Sequence, residues 1–151
     1  RVWGQWGTQR VVRGASRDEV GRRGLPADVD ALAQHDVMAQ SANRKPRPWQ
    51  FRQPDGTLIN WHPKARLLLD GSLLVLSAVK TGQGIGLLPY WLVCDEIADG
   101  ELIAVLDDRI AGHLPVHAVG PMSPVMLPRL RVTIDAIAEV SRSRLEKAGR
   151  A

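Results

Sequence analysis

The chain holds 151 residues, 44% hydrophobic and 24% charged, which suits one sizeable core in the single-domain range and argues against disorder. The longest uncharged apolar stretch, Gly71 to Val79, falls short of the roughly 18 residues a membrane-spanning helix needs, so a soluble chain without membrane partners is expected. One cysteine, Cys94, excludes an internal disulfide and makes a reducing, cytoplasmic setting the default expectation.

The opening Arg1-Val2-Trp3-Gly4 has no signal-peptide core. The net charge of +4 invites a nucleic-acid reading, but residues 1–24 hold six Lys/Arg against two acids, residues 25–128 eight against eleven, and residues 129–151 six against three. Basic residues crowd the two ends while the body is slightly acidic, which argues against one continuous phosphate-binding face.

In chain order, Gln9 to Ala15 contains a β-branched run and predicts a strand. Ser16-Arg17-Asp18-Glu19 opens a helix with a hydroxyl cap and first-turn acids, and Gly24 with Pro26 closes it. Ala27 to Leu32 predicts a short turn, Asp36 to Ser41 a strand, and the basic, proline-containing Asn43 to Pro48 a loop. Trp49 to Arg52 and Leu58 to Trp61 alternate apolar with polar residues around Pro54-Asp55-Gly56, a hairpin signal that should pack Trp49 on Trp61.

Ala65 to Leu69 is extended and closed by Asp70-Gly71-Ser72, after which Leu73, Leu76 and Val79 set a helical period ending before Gly82. Ile85 to Leu88 predicts a buried strand, with Pro89 opening a helix that runs to Asp99. Leu102 to Leu106 and Pro115 to Val119 predict strands about the turn Asp107-Asp108, and an amphipathic helix spans Pro128 to Leu145. Alternating strands and helices predict an α/β fold with a parallel or mixed sheet.

Chemistry-bearing motifs are few. Gly82-Gln83-Gly84-Ile85-Gly86 superficially resembles a dinucleotide loop, yet a helix precedes it and a strand follows, so no helix N-terminus meets a phosphate there. His113 and His117 are four apart in an extended segment without a third ligand nearby, His35 and His62 are isolated, and Cys94 reads as a packing residue. No Gly-x-Ser-x-Gly elbow occurs, and Asp95-Glu96 and Asp107-Asp108 occupy surface and turn positions. Neither catalysis, nor a metal, nor a cofactor is expected.

The order of segments carries a resemblance. Val11-Val12-Arg13-Gly14-Ala15-Ser16, Arg22-Arg23-Gly24-Leu25-Pro26, Asp30 to Asp36, Trp49-Gln50-Phe51, Asp55-Gly56, Ala78 to Pro89, Gly100-Glu101-Leu102 and Pro128 to Asp135 resemble, in sequence, the effector-binding domain of LysR-type transcriptional regulators. The likeness spans about residues 9–145, and Gly-x-Gly-Ile-Gly-x-x-Pro before a terminal Leu-Arg-x-x-x-Asp helix is its most specific part. One departure is Glu19-Val20, standing where the family places Tyr-Leu, which implies a less well packed first helix.

The resemblance implies a fold like type 2 periplasmic binding proteins, with two α/β lobes and a small-molecule effector in the cleft between them. Residues 16–112 would form one complete lobe, while 1–15 and 113–151 would supply crossover strands and a partial lobe with the terminal helix. It further implies a homo-oligomer, dimer or tetramer, that meets promoter DNA through an N-terminal winged helix-turn-helix lying outside this chain, as would most of the partial lobe. The alternative is a stand-alone solute-binding protein or an enzyme on the same fold.

Ligands of open α/β sheets sit beyond the carboxyl ends of strands. The effector-binding candidates are therefore Ser16, Ser41, Asp70, Ser72 and Leu87, each near an expected strand end, with Trp49 as the aromatic candidate. Ser16 and Ser72 have the plainer reading of helix caps. Leu127, Leu130, Ile134, Ile137 and Leu145 form a stripe on the last helix that should be exposed or covered by another copy, since most of the sheet it would pack on is expected to be missing.

Overall fold

The computed structural model describes residues 2–109, 111, 113–120 and 127–149. Arg1, Gly112 and Ala151, at which expected segments begin or end, lie outside the described residues. The chain divides into two units, Val11–Gly112 and Arg1–Arg10 with His113–Ala151, and strand β1, Val2–Ser16, runs through both.

In the larger unit β1 is followed by α1 (Arg17–Arg23), a 3-10 turn (Asp30–Gln34), β2 (Val37–Ala42), β3 (Lys45–Pro46), β4 (Trp49–Arg52), β5 (Leu58–Trp61) and β6 (Leu67–Leu69). Then come α2 (Ser72–Lys80), β7 (Ile85–Pro89), α3 (Tyr90–Ala98), β8 (Leu102–Ala104) and a 3-10 turn, Asp107–Arg109. The predicted loop at Asn43 to Pro48 holds the short strand β3. Asn43 and Arg44 both take positive φ (52° and 61°), a turn that brings Lys45 and Pro46 back antiparallel to Ala42 and Ser41.

The sheet is mixed. β2 runs parallel to both β6 and β7, whereas β1 is antiparallel to β7 and β8. The carboxyl ends of β2, β6, β7 and β8 therefore share one end of the sheet, and the carboxyl end of β1 lies at the other.

On one face α2 sets Val75 and Val79 against the strands. A Cβ at Gly86 would stand 2.6 Å from Val75 Cγ1 and 2.8 Å from Val79 Cγ2, and one at Gly84 would collide with the Asp36 carbonyl. Gly86 thus serves close helix-to-strand packing and Gly84 the close approach of the backbone before β2, and the run forms the helix-to-strand turn expected from the order of elements. The other face carries a cluster of Ala15, Leu32, Val37, Trp49, Phe51, Ile85 and Val105. Trp61 packs over it, with ring centroids 5.4 Å from Trp49 and 6.4 Å from Phe51, the expected pairing across the hairpin.

Helix α1 holds both Glu19 and Val20 inward, although Glu19 Oε1 is buried without a hydrogen-bond partner. Glu19 is 4% exposed, 3.0 Å from Arg22 Nη2 and 3.7 Å from Arg23 Nε, and Val20 packs against the core. The helix also braces its neighbours. Arg17 Nε donates to the Gly100 carbonyl beyond α3 (3.1 Å) and Arg22 Nη2 to the Gly82 carbonyl beyond α2 (2.9 Å), so two cations answer the negative ends of two helices.

In the smaller unit the first part of β1 pairs antiparallel with β9, His113–Val119, from Val2 opposite Val119 to Arg10 opposite His113. Helix α4, Pro128–Gly149, lies on this ribbon, with Leu145 Cδ1 2.8 Å from where a Cβ on Gly7 would stand. The expected stripe splits. Ile134 and Leu145 are half-buried, while Leu127 (48%), Leu130 (38%) and Ile137 (50%) are exposed.

Candidate functional site

The carboxyl ends of β2 and β6 meet the start of α2. Gln40 stands opposite Leu69, and its Nε2 donates to Ser72 Oγ at 2.8 Å. The Gln40 carbonyl accepts the Arg47 N–H at 3.0 Å, fixing the β2–β3 turn beside this pair. Gly71, with φ 85°, precedes α2 at the N-cap position without any side-chain cap. Ser72 is accordingly the first helical residue, and the reading of it as a cap is corrected.

Of the six candidate residues, the structure gathers Ser41, Asp70 and Ser72 at this end of the sheet. Ser41 and Ser72 are half-buried and Asp70 is exposed. The Ser72 hydroxyl held by the Gln40 carboxamide, the Asp70 carboxylate, and the Ser41 hydroxyl, which alternates to the other face of β2, can each donate or accept hydrogen bonds to a small polar molecule.

Ser16 and Trp49 fall elsewhere, and Leu87, though on β7 near the same end of the sheet, turns into the core. Ser16 lies at the opposite end of the sheet because β1 is antiparallel to β7 and β8, and its Oγ accepts the Glu19 N–H at 3.1 Å, an N-cap. Trp49 is 1% exposed within the core, so it offers almost no surface to a ligand. Leu87, opposite Arg13, packs against the same core cluster.

An open depression of about 340 Å³ does exist near Ser16, bounded by Arg17, Asp18, Lys80 and Asp99 to Glu101. Its cations are engaged internally. Arg17 holds the Gly100 carbonyl, and Lys80 Nζ lies 3.1 Å from Glu101 and 3.6 Å from Glu96; hydrogen bonding to Glu101 above all holds the ammonium above its ordinary pKa.

Sequence reasoning missed Gln40 and Arg13. Glutamine near a strand end carries no distinctive signal. Arg13, 1% exposed, sits where a charged residue in a strand reads as outward-facing. Its guanidinium lies 3.8 Å from the centroid of the Phe51 ring, and its Nη2 donates to the Gln50 carbonyl at 2.6 Å. Burial pushes its pKa down to about 10, opposed by the charge of Asp107. Among the described residues no group of three or more metal-ligating side chains occurs, His113 and His117 are exposed on β9, and no helix is long and apolar enough to cross a membrane.

This architecture has known counterparts. Residues 3–142 match the LysR substrate binding domain family, and the chain belongs to that family. It is 29% identical over 119 residues to the HTH-type transcriptional regulator PtxR of Pseudomonas aeruginosa, covering 77% of this chain and 38% of PtxR. The regulatory domain of CrgA, a LysR-type transcriptional regulator from Neisseria meningitidis, superposes with a TM-score of 0.82 at 23% identity over 93% of this chain and 68% of that one. Full-length AphB, the Vibrio cholerae virulence activator, superposes with a TM-score of 0.77 at 20% identity over 91% of this chain and 46% of its own. The fold is thus the mixed α/β, periplasmic-binding-protein-like fold of LysR-type regulatory domains, and the chain spans well under half the length of PtxR.

Proposed function

We propose that this chain is the effector-binding part of a cytoplasmic LysR-type transcriptional regulator, and that it binds a small molecule without transforming it. The observation that carries the site is the convergence of strand carboxyl ends on the Gln40–Ser72 pair, with Ser41 and Asp70 beside it. Sheets of this kind offer ligands their strand ends, where loops and helix starts present backbone and side-chain polar groups.

In the intact regulator an effector held at this surface acts by binding one conformation better than another, which shifts the arrangement of a dimer or tetramer on promoter DNA. The DNA contact belongs to a winged helix-turn-helix outside this chain.

The test is Ser41→Ala combined with Ser72→Ala in the intact regulator, read by promoter activity across inducing conditions. Loss of the inducing response with promoter binding retained is expected, and thermal stability should fall by no more than about 1 kcal/mol per substitution, the ordinary worth of one hydrogen bond. An unchanged response would move the effector surface elsewhere.

A further inference from the structure

Arg13 is the one fully buried cation among the described residues, and three segments meet at its guanidinium. Nη2 takes the carbonyl of Gln50 in β4 at 2.6 Å. Nη1 reaches the carbonyl of Leu106 at a longer 3.4 Å. Its Cζ lies over the Phe51 ring, 3.8 Å from the centroid, a cation–π contact. Nε has no hydrogen-bond partner.

An apolar side chain would fill this space without desolvating a charge, so packing alone does not explain an arginine here. What arginine supplies is two donors in a rigid fork. Leu106 shows what one of them holds: its φ is 50°, a left-handed conformation that is strained for leucine and persists only where surroundings enforce it. Leu106 also accepts the Arg109 N–H at 3.1 Å, closing the 3-10 turn Asp107–Arg109.

The two segments joined by Arg13 are those by which the chain leaves the larger unit, β1 toward Arg10 and Leu106–Arg109 toward His113. The third, β4, follows the β2–β3 turn that Gln40 anchors. We propose that Arg13 is a positioning residue that locks the hairpin and both exits of the larger unit into one arrangement, and so carries the state of the Gln40–Ser72 surface to the exits. The carrying role rests on the effector reading above; the locking role does not.

Amide hydrogen exchange of this chain tests the lock without any ligand. Arg13→Met keeps an unbranched stem but removes the charge, both hydrogen bonds and the group stacked on Phe51, and Arg13→Lys keeps a charge and a donor without the fork. In Arg13→Met, exchange of residues 49–52, 58–61 and 105–109 should rise about tenfold or more while α2 and α3 stay near wild type, a local opening rather than a global loss. Arg13→Lys should restore the hairpin, whose carbonyl bond is the shorter, and leave 105–109 fast.

Exchange that changes evenly across the larger unit, or not at all, in both variants would overturn the proposal and leave Arg13 a core filler. Should Arg13→Met fail to fold, the split between hairpin and exit in Arg13→Lys decides alone. Ser41 and Ser72 take no part in this measurement, so its failure and that of the effector surface are distinguishable.

Discussion

The two units are built to different degrees of closure. Val11–Gly112 covers its sheet on both faces, with α2 and its Val75 and Val79 on one and the Trp49–Trp61 hairpin on the other, and it holds nearly all the buried apolar residues. In the smaller unit, one helix lies on a two-stranded ribbon, and Ala118 and Ala138 are its buried residues among those described. A sheet covered on both faces has a complete core, whereas a ribbon with one helix cannot bury a full apolar stripe. The same apolar-to-polar change should therefore be costly in one unit and nearly silent in the other.

The largest effect should come from Phe51→Ala. Phe51 is fully buried, meets Trp61 edge-on at 6.4 Å and forms the floor beneath Arg13. Removing it leaves a cavity and an unstacked buried cation, so unfolding free energy from urea denaturation should fall by about 3–5 kcal/mol. A loss below about 1 kcal/mol would mean the hairpin is not part of the core.

A smaller loss should follow Gly86→Ala, which overfills the same unit. The new Cβ would press on both Val75 and Val79, the buried valines of α2, and overpacking of this kind costs about 1–3 kcal/mol. Trimming Val75 to Ala in the same chain should recover part of it; a tolerated Gly86→Ala without the second change would show that α2 is free to withdraw.

These positions also show what the sequence made legible. The alternation of Trp49-Gln50-Phe51-Arg52, the period of Leu73, Leu76 and Val79, and the placing of the glycine run between helix and strand are local signals, and the structure has the corresponding hairpin, helix and turn. Strand direction is not local. Ser16 and Ser41 both end strands, but β1 runs against β7 and β8, so only pairing reveals that they lie at opposite ends of the sheet. Likewise Leu106 was expected to continue β8, and its turn to positive φ is made with the Arg13 bond from a strand 93 residues away. The length of β1 escaped notice because Gly4, Gln5 and Gly7 break any β-branched pattern, its pairing depending on β9.

The smallest effect should come from the exposed flank of α4. Leu130, Ile137 and Val140 are 38%, 50% and 63% exposed, lying beside the Ile134, Ala138 and Leu145 side that faces the ribbon. Ile137→Glu removes little buried area, and glutamate is the better helix former. Unfolding free energy should stay within about 0.5 kcal/mol of wild type, the ordinary range for a surface position. A loss above about 2 kcal/mol would mean that this flank is covered in solution, because only desolvating a charge at a closed apolar contact costs that much. Sedimentation velocity on the same variant then identifies the cover: if it is another copy of the chain, Ile137→Glu shifts the population to monomer, and if the sedimentation coefficient is unchanged the cover lies within one chain.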